Sequence, residues 1–175
     1  TSSSTITSSP QEIATTPFIS VFDNGGWQNL QQPGGGLIDA LQHTIMNQAQ
    51  FRKFPTHNSA ILNFVVNTSG DNTNLAGVRW IELRQDSDGQ PWSLYQEGTY
   101  NAPNGKHAWN ASMAMDIQGN IGMGYSGMGG ENGKYVSSSR PHTAQSCSAT
   151  AARGVRHERR KRHTRQRVNV ECSCR

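Results

Sequence analysis

Two runs of alternating apolar and polar residues, Ala111-Ser-Met-Ala-Met115 and Ile121-Gly-Met-Gly-Tyr125, flank the insert Asp116-Ile-Gln-Gly-Asn120. Alternation with period two sends successive side chains to opposite faces of a strand. The insert is turn chemistry, because Asp can cap its own turn and Gly supplies a positive φ. The pattern therefore predicts a β-hairpin over 111–126. Upstream, Val78-Arg-Trp-Ile-Glu-Leu-Arg84 predicts a strand with Val78, Trp80 and Leu83 on one face and Arg79, Glu82 and Arg84 on the other, although Ile81 breaks strict alternation. Residues 58–67 form a β-branched and aromatic run, and 92–97 a returning strand after the turn at 85–91. Loops are expected at 69–77 and 101–105. Nearer the start, 18–22 reads as a short strand closed by Asp23-Asn-Gly-Gly26, and a further loop follows at 31–36. From 37 to 54 the spacing of Leu37, Ile38, Leu41 and Ile45 suggests a helical turn or coil leading into a strand.

Strands at this spacing predict an all-β chain organised as an antiparallel meander, the unit of a propeller blade or of a sandwich sheet. About one and a half four-stranded units fit between Pro17 and Ser138. An apolar fraction of only 33%, with 18 Gly, favours turn-rich β structure plus unstructured segments. Residues 1–16, rich in Ser and Thr, read as a disordered linker too polar to pack. The longest apolar run, Ala60-Ile-Leu-Asn-Phe-Val-Val66, falls far short of the roughly 20 residues that cross a bilayer, so no membrane span is expected. The first residues lack the basic and apolar regions of a secretory leader, as in a mature protein, an internal fragment or a linker.

Charge divides the chain. Residues 1–139 hold six Lys/Arg against ten Asp/Glu, a net of −4, whereas 140–175 hold ten against two, a net of +8. All three cysteines, Cys147, Cys172 and Cys174, fall in the basic part. The body therefore has no disulfide framework and no thiol nucleophile. Periodicity also stops near residue 139. The run Arg153-Gly-Val-Arg-His-Glu-Arg-Arg-Lys-Arg-His-Thr-Arg-Gln-Arg167 has phosphate-neutralising chemistry. A simultaneous change of charge, cysteine use and periodicity is also what translation in a shifted frame produces, and 139–175 is expected to be a basic tail of little structure, as such an artefact or as a nucleic-acid arm. A zinc site from Cys147, His157, His163, Cys172 and Cys174 has suitable atoms at unsuitable spacing.

Val78-Arg-Trp-Ile-Glu-Leu-Arg84, Trp92-Ser-Leu-Tyr-Gln-Glu-Gly-Thr-Tyr100, His107-Ala-Trp109 and the stretch Ser112-Met-Ala-Met-Asp-Ile-Gln-Gly-Asn-Ile-Gly-Met-Gly-Tyr-Ser126 occur in this order. The order resembles a propeller-like repeat region of large, secreted, mostly uncharacterised bacterial proteins, over roughly Pro17 to Ser138. Such relatives usually carry Arg before the Trp and Gly before the Ser, where this chain has Ala108 and Ala111. The resemblance implies a partial β-propeller of one to two blades, secreted or at the cell surface, with neighbouring blades or domains of a larger chain as partners. A propeller closes with about four or more blades, so the chain is expected to be a piece of a bigger protein.

No nucleophile, base or metal set stands out, and no cofactor is implied. Arg79, Glu82 and Arg84 are candidate ligand contacts, against the commoner role of cross-strand pairs. His107 follows a Pro-Asn-Gly loop, and Trp109, with Trp80 and Trp92, offers either a sugar platform or sheet core. Met113, Met115, Met123 and Met128 read as core filler, and Asp116 as a turn cap. The expected role is a non-enzymatic binding or structural module, with carbohydrate as a candidate ligand. Its rivals are a glycan-hydrolysing propeller enzyme and nucleic-acid binding through the arginine-rich tail.

Overall fold

The computed structural model describes residues 10–26, 30–70, 74–129 and 133–139. Among them the chain is all-β, with a single 3-10 turn at Asp23–Gly25. Seven strands follow in order: β1 (Ile45–Lys53), β2 (Asn58–Asn67), β3 (Ala76–Gln85), β4 (Ser93–Tyr100), β5 (Lys106–Met115), β6 (Ile121–Gly129) and β7 (Lys134–Ser139). They form two antiparallel meanders, a four-stranded sheet β1-β2-β3-β4 and a three-stranded sheet β5-β6-β7. Basic residues 153–167, the cysteines and the zinc candidates lie outside the described residues.

Local chemistry accounts for the joints. In the β5–β6 hairpin the Asp116 carboxylate accepts the Gln118 and Asn120 amides, each at 2.8 Å, and the Asn120 side-chain amide at 2.8 Å. Gly119 takes φ +87°, so the turn forms as its residues predict. Farther up the same hairpin, β5 bulges between Trp109 and Ser112, and Asn110 absorbs the extra residue at φ +48°. A second irregularity in β1, between Met46 and Gln50, places Asn47 at φ +56° with its amide donating to Ser112 Oγ at 2.8 Å. One irregular edge is thereby tied to the other sheet.

The core is the seam between the sheets, where β5 crosses β1, β2 and β3. The regular β2–β3 register pairs Ile61 with Glu82, Asn63 with Trp80 and Val65 with Val78, and so puts these residues on one face. Val78 packs with Ala108, Ala111 and Tyr125, while Ile61 packs with Met113, Met115 and Trp80. Trp109 and Met128 join Val65, Met46, Phe22 and Leu30 in a third cluster. Alternation over 110–115 of β5 thus reports burial, and the expected filling role of Met113, Met115 and Met128 matches their burial.

Three expectations change. The strand at 18–22 reduces to one bridge, Ile19 to Asn67, because Pro17 has no amide to donate and the Phe22 amide goes instead to Gln42 Oε1 at 2.9 Å. Polar composition does not keep 10–16 off the body: the Trp92 amide donates to Gln11 Oε1 at 3.0 Å and the Thr16 amide to Glu97 Oε1 at 2.8 Å. Finally, Arg79 does not share a face with Glu82 and Arg84. β3 is regular against β2, so Glu82 and Arg84 lie with Val78 and Trp80 toward the second sheet, and Arg79 lies opposite. Both faces of β3 are largely buried, so side-chain polarity does not identify its outside.

Candidate functional site: buried charges and an inter-sheet cleft

On the outer face of the four-stranded sheet, Arg79 is 6% exposed. Its guanidinium donates to Thr99 Oγ1 at 3.1 Å, to the Thr16 hydroxyl and to the Glu97 carboxylate. The same group stands 5.8 Å from the Phe18 ring, and Phe18 meets Phe64 at 5.0 Å. Burial pushes the Glu97 carboxyl up, yet the bonds from Thr16 and the charge of Arg79 outweigh it and hold the group below its ordinary value. This constellation clips the N-terminal segment to the sheet and leaves no charged group free for a ligand, apart from Arg79 Nε, which is buried without a partner.

On the inner face Glu82 is fully buried. It accepts from Ser59 Oγ at 2.8 Å, Arg84 Nε at 2.7 Å and Gln96 Nε2 at 2.5 Å. Arg84 in turn covers the Tyr95 ring, 3.2 Å from its centroid. A carboxylate with three donors and no exposure is a structural anchor. Close by, His57 stacks on Phe54 at 4.8 Å, and burial followed by the charge of Arg84 pushes its pKa down against Glu82 and Asp86. Its Nε2 is buried without a partner.

The two remaining candidates separate. Trp109 is 2% exposed and sits in the seam, so of the two roles open to it, sugar platform or sheet core, its burial fits the core. His107, half-buried, lines a cleft of about 140 Å³ where the β4–β5 connection passes from one sheet to the other. The Ala76 amide donates to His107 Nδ1 at 3.2 Å, which fixes the ring hydrogen on Nε2 when the ring is neutral. Burial pushes its pKa down and favours that neutral form. Across the cleft the hydroxyls of Tyr100 and Tyr125 meet at 2.9 Å, and burial, then the bond to Tyr125, pushes Tyr100 up. Lys106 also lines the space, and none of its lining residues is acidic.

Sequence reasoning found His107 but missed Tyr100, Tyr125 and Lys106. For Tyr100 and Lys106 the one signal is position near the Pro-Asn-Gly loop, where Asn104 and Gly105 both take positive φ and turn the chain between sheets, whereas Tyr125, on β6, carries no such signal. Among the described residues no cluster of three or more His, Cys, Asp or Glu could hold a metal, and no helix is long and apolar enough to cross a membrane. Comparison with protein-family models, with curated proteins and with solved structures finds no match.

Proposed function

We propose that the body of this chain is part of a β-propeller, acting as a non-enzymatic binding or structural module of a secreted or cell-surface bacterial protein. The observation that carries this is the succession of two meanders: four strands in neighbour order, then three more in neighbour order, with β5 laid across the face of the first sheet. Propeller blades are four-stranded meanders stacked face to face, a succession that needs no crossing connections between sheets. Beyond the part of its outer face that the N-terminal segment covers at Phe64, the four-stranded sheet also carries the apolar residues Leu62 and Leu83 there, as a sheet with a neighbour on each side would.

A binding role fits better than hydrolysis, because Glu82 and Glu97 are committed to buried or nearly buried partners and, among the described residues, no carboxylate lines the inter-sheet cleft. The test is a glycan array with the whole chain, run beside a hydrolysis panel of glycosides and sugar esters. Binding without turnover is expected. Turnover of any substrate favours the enzyme instead, and silence on both removes the binding role. A structure of a longer chain tests the architecture: a further meander against the outer face of β1–β4 is expected, and helices there would end the propeller reading.

A further inference from the structure

We infer that the cleft between the β4–β5 connection and the three-stranded sheet binds a small carboxylate, either a free acid or the acid group of a uronic sugar. This names the ligand chemistry of the binding role proposed above and rests on that role, though not on the number of blades. Three kinds of donor meet at the cleft. All are carried by residues that line it: Lys106 has an ammonium, His107 has its neutral-ring hydrogen on Nε2 because the Ala76 amide occupies Nδ1 at 3.2 Å, and the phenol pair has one hydroxyl hydrogen to spare. Two hydroxyls that share one hydrogen bond leave one O–H uncommitted between them. No Asp or Glu lines the space to compete for these donors or to repel an anion.

Size and shape agree with that chemistry. About 140 Å³ is several times the roughly 30 Å³ of a water and lies below the roughly 300 Å³ at which drug-sized pockets begin. It suits one carboxylate with its nearest carbons. The space exists because glycine stands where a side chain would fill it: a Cβ on Gly127 would stand 3.3 Å from Ser139 Oγ and 3.4 Å from Tyr125 Cε2. Residues 1–139 carry a net −4, so the body around the cleft adds no long-range attraction for an anion of its own. Selectivity therefore rests on the local donors.

The experiment titrates the whole chain with sodium acetate, sodium glucuronate, the neutral methyl ester of glucuronic acid, and glucose, read by calorimetry and by the His107 ring signals in NMR. Acetate and glucuronate are expected to bind and to shift His107, with ester and glucose silent. Acetate alone binding supports the site and assigns it to free acids, and glucuronate alone supports it and assigns it to acidic sugars. Ester and acid binding equally would overturn the inference. Lys106→Met is expected to weaken carboxylate binding on the order of tenfold, the size of one charge-assisted hydrogen bond. Gly127→Ala should weaken it by filling the space, and Gln118→Ala, on the distant hairpin turn, should leave it unchanged. If carboxylates fail on the folded wild-type chain while neutral glycans bind it, this inference falls and the general binding role stands. If nothing binds, both fall.

Discussion

The two sheets meet along one seam yet are built from different material. The four-stranded sheet buries charge on both faces, Arg79 with Glu97 outside and Glu82 with Arg84 inside. The three-stranded sheet has almost none to bury: β5 and β6 hold a single charged residue, Lys106, among alanines, glycines, serines and methionines. Small residues such as Ala108 and Ala111 let β5 approach Val78 closely, and the flexible methionines fill what irregular space remains. One sheet thus gains uniqueness from a few committed polar groups, the other from fit. Each should fail in its own way.

The largest loss is expected at Glu82. Replacing it with Ala strands the buried Ser59 hydroxyl and leaves the partly covered Gln96 amide and Arg84 guanidinium without their acceptor, at a cost of about 3–5 kcal/mol by urea unfolding. The double change Glu82→Met with Arg84→Leu removes the orphaned charge and should recover part of that loss. If the single and double variants are equally unstable, shape rather than charge pairing governs this position. On the other sheet, Met113→Ala opens a cavity in the cluster that holds Ile61 and Trp80 and should cost roughly 2–4 kcal/mol, because the site lies in packed seam. An effect near zero would mean that the methionines are not filling the gap between the sheets.

How much of this the sequence carried follows the range of each interaction. The β5–β6 hairpin is legible because Asp116, Gly119 and Asn120 act within five residues. β2, β3 and β4 are legible from β-branched and aromatic runs bounded by turns. The sides of β3 are not, since grouping Arg79 with Glu82 follows polarity, whereas the backbone enforces parity. Where both faces of a strand are buried, the two rules separate. The strand misread at 18–22 has suitable residues but lacks neighbours, because Gln42 takes the Phe22 amide. The cleft was half visible. His107 stood out by type, but its tautomer depends on Ala76 and its companion Tyr125 on Tyr100, contacts that only the folding of one sheet over the other creates.

Acid separates the buried pair from the exposed turn. Glu97 and Asp116 both lie below their ordinary values of 4.5 and 3.8, Glu97 despite its burial through Thr16 and Arg79, and Asp116 chiefly through the Asn120 side chain. A carboxylate with a lower pKa folded than unfolded contributes its full stability above the unfolded value, and loses it as pH falls through the folded one. Melting temperature should therefore decline below about pH 4.5, with the decline shallower in Glu97→Gln and, starting lower, in Asp116→Asn. An unchanged acid limb in Glu97→Gln would detach the clipped N-terminal segment from the stability of the sheet.

The smallest effect is expected where a short contact is most tempting. Lys53 reaches Asp88 at 2.5 Å, but their side chains are 63% and 70% exposed. In water the attraction is screened and two long side chains lose freedom to hold it, so exposed pairs usually contribute little. Asp88 also keeps the Asn58 side-chain amide, at 2.8 Å, when Lys53 is removed. Lys53→Met should leave the melting temperature within error at any salt concentration. A salt-dependent drop would show instead that this end of the four-stranded sheet is held by charge at its surface, as its interior is by Glu82.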